Sequence, residues 1–154
     1  MIKEKSCGAV IFNEDMTKVL LIKHNRGHIS FPKGHQENNE TDKETALREV
    51  KEETGINIDI ISEKKFHVSY SPNKDKNYKD VYYYIGKIIG GEVKPQLEEI
   101  SECFLINREE AIDLITYDND RKVLLDILKE IKWSLLFINI FYIGFYFCVI
   151  IWNS

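Results

Sequence analysis

Residues 34–56 read GHQENNETDKETALREVKEETGI, and this stretch decides the fold of the chain. Thr41 and Glu44 form the Thr-x-x-Glu pattern of a capping box, which predicts that a helix begins just after Thr41. Gly55 is the residue expected at the left-handed position where a helix ends. The stretch therefore predicts a loop that contains Gly34 and leads into one short helix. The apolar residues at helical spacing, which predict the buried stripe of that helix, are Ala46, Leu47 and Val50.

Three glutamates lie on one side of this predicted helix. Glu49, Glu52 and Glu53 occupy positions i, i+3 and i+4, so their carboxylates converge. Because like charges repel, such a cluster indicates a bound cation, and carboxylate oxygens favour Mg²⁺ or Mn²⁺. Arg48 lies one turn before Glu52 and can pair with its carboxylate. A solvated acidic helix face is the alternative, but the flanking glycines and the spacing argue against it.

The spacing Gly-x5-Glu-x7-Arg-Glu-Val-x-Glu-Glu-x-Gly-Ile resembles the signature of the Nudix hydrolases, and each fixed position is met. Residues 6–10 and 31–35 are most similar to the asymmetric diadenosine tetraphosphate hydrolases of that family. The resemblance implies a fold of the α/β class, an α/β/α sandwich with a mixed sheet, over residues 1–132. The positions of the signature that are expected to support its structure are Gly34, Glu40, Arg48 and Gly55.

The resemblance also implies a metal centre and a reaction. Glu49, Glu52 and Glu53 are expected to bind Mg²⁺, or Mn²⁺ in its place. Glu98 is expected to join them, because it precedes Phe104 by six residues, as the corresponding glutamate of the family precedes its tryptophan. The expected catalytic residues are Glu49, Glu52 and Glu98: a glutamate takes a proton from a metal-held water, which attacks one phosphorus in line. For Glu98, Glu99 and a solvated turn remain alternatives.

Six residues outside the helix are expected to bind substrate: His28, Lys33, Tyr70, Lys79, Tyr83 and Tyr117. Lys33 directly precedes Gly34, where its ammonium group can reach a phosphate oxygen, although a solvated surface lysine is the alternative. His28 lies at the position where these hydrolases place a histidine near the phosphate chain. His24 and His35 compete with it for that position.

The resemblance implies that the tyrosines and Lys79 bind phosphate or stack on adenine, although tyrosines at alternating positions are also ordinary strand residues. In the run 82–84, either Tyr83 or its two neighbours face the site, and we favour Tyr83. Ile29 stands where family members commonly carry an aromatic residue before the Pro-Lys-Gly turn. This departure predicts that base stacking depends on Tyr117, and it weakens the adenine preference rather than the prediction of hydrolysis.

Composition narrows the class of partner. A chain of 154 residues is long enough for one domain with a substantial core. The net charge of −4 argues against a surface for duplex nucleic acid, so the expected partner is a small nucleotide. The three cysteines are widely separated, which favours a reducing cytoplasm over a disulfide framework or a zinc site. The charged start, with Lys3 and Lys5, is unlike a signal peptide.

Residues 133–154 form an apolar tail that is distinct from the predicted domain. Residues 133–152 are nearly all apolar and have the length of a membrane-spanning helix. A tryptophan at each end and two lysines just before the tail suit a tether that holds a cytoplasmic domain at a membrane. Asn139, near the middle, and the aromatic and β-branched content favour other interpretations. These are a helix packed on the domain or on a second copy, or a tail that takes no part in the fold.

The function predicted from these observations is Mg²⁺-dependent hydrolysis of a phosphoanhydride in a nucleoside polyphosphate. The favoured substrate is diadenosine tetraphosphate, cleaved to ATP and AMP. Two alternatives remain: the same chemistry on another nucleoside diphosphate derivative or an RNA 5′ end, and a nucleotide-binding sensor without catalysis. The intact Glu49, Glu52 and Glu53 argue against the sensor.

Overall fold

The computed structural model of the chain describes residues 3–71 and 78–132. The predicted apolar tail, with its possible contact with a membrane, lies outside the described residues. Within them, no helix combines the length and the apolar character needed to cross a membrane.

Eight strands and three helices make up the described residues. The strands are β1 (Lys3–Phe12), β2 (Lys18–His24), β3 (Ile29–Ser30), β4 (Lys33–His35), β5 (Ile56–Ile60), β6 (Phe66–Tyr70), β7 (Tyr78–Gly91) and β8 (Ile100–Asn107). The helices are α1 (Asp42–Thr54), α2 (Arg108–Leu114) and α3, which is described over residues 118–132.

The strands form one mixed sheet. Its main path is β3-β2-β1-β7-β5, while β4 pairs with β1, β6 with β7 and β8 with β2. The pairing of β1 with β7 is parallel, and the other pairings are antiparallel. The predicted mixed sheet is confirmed.

Helices cover both faces of this sheet. On one face, buried residues of β1 and β7 pack with Val123, Leu124 and Ile127 of α3. On the other face, α1 places Val50 against Ala9 and Ile11 of β1. Because each face buries apolar side chains beneath a helical layer, the molecule is the predicted α/β/α sandwich.

Helix α1 begins and ends as the sequence predicts. The Thr41 hydroxyl accepts a hydrogen bond from the Glu44 amide at 3.3 Å, and the Glu44 carboxylate accepts one from the Thr41 amide at 2.7 Å. Gly55 ends the helix with φ 75° and ψ −4°. The predicted stripe is wrong at Leu47, which is 40% exposed. The buried side of α1 instead comprises Thr45, Ala46, Val50, Glu53 and Thr54.

Residues 33–35, predicted to be loop, form the short strand β4. Its pairing with β1 aligns Ser6 with His35, Cys7 with Gly34 and Gly8 with Lys33. Because β4 also contacts α1, this strand fixes Lys33 and Gly34 directly beside the acidic helix.

Candidate active site

Gly34 lies directly against the Glu49 carboxylate. A Cβ atom at position 34 would come within 2.1 Å of Glu49 Oε2 and 2.1 Å of its Cδ. Any larger residue would therefore displace the Glu49 side chain. The glycine of the signature has a physical role here, because it gives a carboxylate of α1 room to lie against β4.

Arg48 ties the loop before α1 to two of the three glutamates. Its Nε donates to Glu40 at 2.6 Å, and its Nη1 donates to Glu49 at 2.8 Å and to Glu52 at 3.0 Å. Its Nη2 donates to the carbonyl of His35 at 3.0 Å and to the second oxygen of Glu40 at 3.0 Å. The Arg48 guanidinium lowers the pKa of Glu40 to about 2. Arg48 therefore holds Glu49 and Glu52 in fixed positions.

Glu53 is the buried member of the acidic cluster. It is 4% exposed, and its carboxylate accepts a hydrogen bond from the backbone amide of Lys33 at 2.8 Å. Burial raises the pKa of Glu53 to about 8 against the lowering effect of Lys33, and the charges of Glu49 and Glu99 raise it further. Burial also raises the pKa of Glu49. The two acids therefore lie in surroundings that penalise their negative charge.

The donor chemistry of the cluster fits a hard divalent cation. Glu49, Glu52 and Glu53 offer only carboxylate oxygens, which suit Mg²⁺ or Mn²⁺. A cation beside Glu49 and Glu53 would offset the penalty that burial places on their charge. Among the described residues, no group of three or more His, Cys, Asp or Glu side chains is arranged as a ready metal site. Arg48 engages Glu49 and Glu52, so a cation would compete with it for these oxygens.

Glu98 and Glu99 lie in a turn that is anchored to the end of β2. The Asn25 side chain donates to the carbonyls of Leu97 and Glu98 at 3.1 and 3.0 Å, and the Asn25 amide donates to the carbonyl of Glu99 at 2.9 Å. Glu98 lines a groove of about 650 Å³ together with Glu52. Glu99 lies near enough to Glu53 to raise its pKa. Glu98 remains the predicted fourth ligand, and the structure gives Glu99 comparable support.

A cavity of about 410 Å³ is linked to the acidic cluster through Lys33, which lines the cavity and whose backbone amide donates to Glu53. It contains four of the six predicted substrate-binding residues: His28, Lys33, Tyr70 and Tyr117. The sequence did not indicate the other residues that line it, which are Ser30, Ser71, Asn119 and Asp120. In the sequence, the polar residues at the start of α3 have only the pattern of ordinary helix-initiating residues. Only the packing of α3 against the sheet brings them to the cavity.

His28 is the histidine that faces this cavity. Its ring lies 5.7 Å from the ring of Tyr117, centroid to centroid. His24 stacks behind it at 3.9 Å, and His24 Nε2 lies 3.0 Å from the hydroxyl oxygen of Ser30. His35 instead pairs with Glu4 at an exposed position. Of the three competing histidines, His28 alone lines the cavity.

Lys79 and Tyr83 are not among the residues that line the cavity. Lys79 pairs with Tyr70 across β6 and β7, and burial, followed by the charge of Lys33, lowers its pKa. Lys79 therefore lies within electrostatic range of Lys33. Tyr83 is fully buried, so the structure corrects the expectation that its ring touches the base. Its hydroxyl donates to Asp120 Oδ1 at 3.0 Å, which connects it to the cavity only indirectly.

The fold and the acidic helix together define an α/β/α domain with a cluster of carboxylates on one helix, and comparisons with known proteins identify its family. Residues 3–127 match the model of the NUDIX domain, so the chain belongs to the Nudix hydrolases. The chain is 30% identical over 132 residues to the rat asymmetrical bis(5′-nucleosyl)-tetraphosphatase, a match that covers 78% of the chain and 90% of the rat protein.

Two further comparisons agree with this assignment. The chain is 30% identical over 95 residues to the MutT4 mutator protein of Mycobacterium tuberculosis. That match covers 61% of the chain and 38% of the length of the mycobacterial protein. The crystal structure of a Caenorhabditis elegans Ap4A hydrolase binary complex superposes with a TM-score of 0.74 at 23% identity. It covers 84% of this chain and 98% of that one, which supports the fold.

Proposed function

We propose that this Nudix hydrolase cleaves a dinucleoside tetraphosphate, diadenosine tetraphosphate being the favoured substrate, to ATP and AMP with the help of Mg²⁺. The observation that carries the proposal is the cavity of about 410 Å³, which is lined by aromatic rings and by Lys33, whose backbone amide donates to Glu53 of the acidic helix. Similarity to the rat tetraphosphatase over 90% of its length supports this class of substrate.

The cavity has the chemistry needed to hold one nucleoside and the adjoining phosphates. His28, Tyr70 and Tyr117 offer flat surfaces for a nucleobase. Lys33 extends from β4, next to the strand position that contacts Glu49, so its ammonium can bind a phosphate oxygen. Lys79 lies within range of Lys33 and adds positive charge in an otherwise acidic protein. These lysines offset the repulsion between the phosphate chain and the acidic helix.

The glutamates of α1 are proposed to hold the metal and to move the proton. Mg²⁺ bound by Glu49, Glu52, Glu53 and Glu98 would neutralise phosphate charge and lower the pKa of a bound water. Glu52 has a side chain that is 53% exposed and held by Arg48, so it is placed to accept the proton of the attacking water. The water oxygen bonds to phosphorus as the bridging oxygen leaves with the departing nucleotide. Arg48, which donates to both Glu49 and Glu52, orients these two carboxylates before a cation binds.

The experiment that tests this proposal is product analysis on a nucleotide panel with and without Mg²⁺. Wild type should release equal amounts of ATP and AMP from diadenosine tetraphosphate, and Glu52→Gln should reduce the rate by about 10²-fold or more. Glu63→Gln is the matched control, because Glu63 is 84% exposed and pairs with Lys43 away from the cavity. An unchanged rate in Glu52→Gln would remove the assigned role. Tight binding without turnover would instead support a sensor.

A further inference from the structure

Asp120 is a buried carboxylate that the mechanism above does not use. It lies in the first turn of α3 and lines the cavity, yet it is only 7% exposed. Its Oδ1 accepts a hydrogen bond from the hydroxyl of Tyr83 at 3.0 Å. Within residues 3–71 and 78–132, the Tyr83 hydroxyl is the one hydrogen-bond donor to this carboxylate, and no cation forms an ion pair with it. One oxygen of a buried acid is therefore left for a donor that enters the cavity.

Packing alone does not account for this pair of residues. Tyr83 lies in the apolar core with its ring edge-to-face against Phe31 at 5.6 Å. Burying an acid and a phenol there is unfavourable compared with burying two apolar side chains of similar size. Burial raises the pKa of Asp120, and the Tyr83 hydroxyl and the charge of Lys33 act against that rise by favouring the ionised form. The hydrogen bond from Tyr83 therefore holds the Asp120 carboxylate in one orientation where it lines the cavity and favours its acceptor form.

The surroundings of Asp120 limit which donor can reach it. The rings of His28, Tyr70 and Tyr117 line the same cavity, so a flat aromatic ligand there can pack against them. In a nucleobase, the N–H groups that could donate to Asp120 lie on the edge of the ring. Asn119, the next residue to Asp120, also lines the cavity and carries an amide that can donate. An acceptor beside a donor matches the 6-amino group and N1 of adenine, which are an adjacent donor and acceptor.

We propose that Asp120 determines base specificity by accepting a hydrogen bond from the 6-amino group of adenine, with Tyr83 as the residue that positions its carboxylate. This inference rests on the proposed function, since it assigns the base of the nucleoside that the cavity takes. It also accounts for how a chain with Ile29, rather than an aromatic residue, in β3 can still select its base. The hydrogen bond to Asp120 would replace part of the stacking that an aromatic residue at position 29 would provide.

The test compares two ligands that differ by one amino group. AMP and purine riboside 5′-monophosphate, which lacks the 6-amino group, are titrated calorimetrically into the full-length protein with Mg²⁺ present. Wild type should bind AMP about 10- to 100-fold more tightly, the range expected for one hydrogen bond to a charged acceptor. Asp120→Asn keeps an acceptor without its charge, so its discrimination should be intermediate.

A double variant removes the acceptor without leaving a buried polar group unpaired. Tyr83→Phe combined with Asp120→Leu replaces both partners with apolar side chains of similar shape, a change that stability tolerates better than losing one partner. The double variant should bind the two ligands equally. Asp118→Leu is the matched control, because Asp118 lies two residues earlier with a side chain that is 90% exposed. It should keep the wild-type discrimination.

The outcomes separate this inference from the proposed function. Equal binding of AMP and purine riboside 5′-monophosphate by wild type would overturn the inference, as would full discrimination in the folded double variant. Tighter binding of GMP than of AMP would also overturn it. Failure to hydrolyse any dinucleoside tetraphosphate would refute the proposed function, while a discrimination between the two monophosphates would still show that Asp120 recognises the amino group.

Discussion

His24 shows how a residue outside the cavity can shape it. Its ring stacks on His28, and its Nε2 lies 3.0 Å from the Ser30 hydroxyl oxygen. Burial, followed by the charges of His28 and Lys33, lowers the pKa of His24 from 6.5 to about 4. The folded protein therefore holds His24 neutral at pH values where the unfolded chain protonates it. A neutral ring can support His28 without adding positive charge beneath it.

The sign of this shift gives a pH prediction. Between pH 6.5 and about 4 the unfolded state binds the proton of His24 and the folded state does not, so stability falls as the pH is lowered through that range. His24→Gln can still bond to Ser30 but does not titrate. We expect wild type to exceed this variant in stability at pH 7 and to lose that advantage towards pH 4. Urea unfolding of both proteins at pH 7 and at pH 4 measures their free energies of unfolding. If the advantage of wild type grew as the pH was lowered, the lowered pKa of His24 would be contradicted.

At the scale of elements, β4 and α1 form one unit through Gly34 and Glu49. Gly34→Ala would place a methyl group within 2.2 Å of the Glu49 carboxylate oxygens. Glu49 is a flexible side chain, so we expect it to move while the backbone stays in place. Activity should fall by about 10²-fold, as for loss of an electrostatic catalytic group, with a change in stability of about 1 kcal/mol. Steady-state kinetics and chemical unfolding on the same preparation would separate the two effects.

The elements differ in how far the sequence predicts them. Helix α1 was predicted at both ends, because its capping box and Gly55 act within a few residues of the chain. Strand β4 was missed, since three residues become a strand only by pairing with β1, far away in sequence. Leu47 was assigned to the core because the apolar spacing permits it, but the sheet contacts the side of α1 that contains Glu53 instead.

At the scale of the whole molecule, the signature located the acidic cluster and only part of the cavity. His28, Lys33, Tyr70 and Tyr117 come from separate strands and loops, and the family resemblance indicated all four. Asp120 carries no local signal, because it reaches the cavity only when α3 packs on the sheet opposite α1. Tyr83 lies on the side of the sheet that packs against α3, but the sequence does not show that its side chain is fully buried, because burial depends on the packing around it.

Glu53 links the acid–base behaviour of the metal site to the stability of the whole fold. Its pKa rises from 4.5 to about 8 on folding, so metal-free protein should lose stability as the pH rises from about 4.5 to 8. Glu53→Gln keeps an acceptor for the Lys33 amide and has no charge to bury. We expect this variant to be more stable than metal-free wild type at pH 8, by about 1–3 kcal/mol, and equally stable near pH 4.5.

Added Mg²⁺ should reverse that order. A cation that binds the ionised carboxylate stabilises only the folded state, so the melting temperature of wild type should rise with Mg²⁺ and rise more at pH 8 than at pH 5. Glu53→Gln should respond less at both pH values, and its hydrolysis rate should fall. Thermal melts with EDTA and with Mg²⁺ at the two pH values measure this. A Glu53→Gln protein that is less stable than metal-free wild type at pH 8 would contradict this prediction. It would show that Glu53 stabilises the fold without a cation.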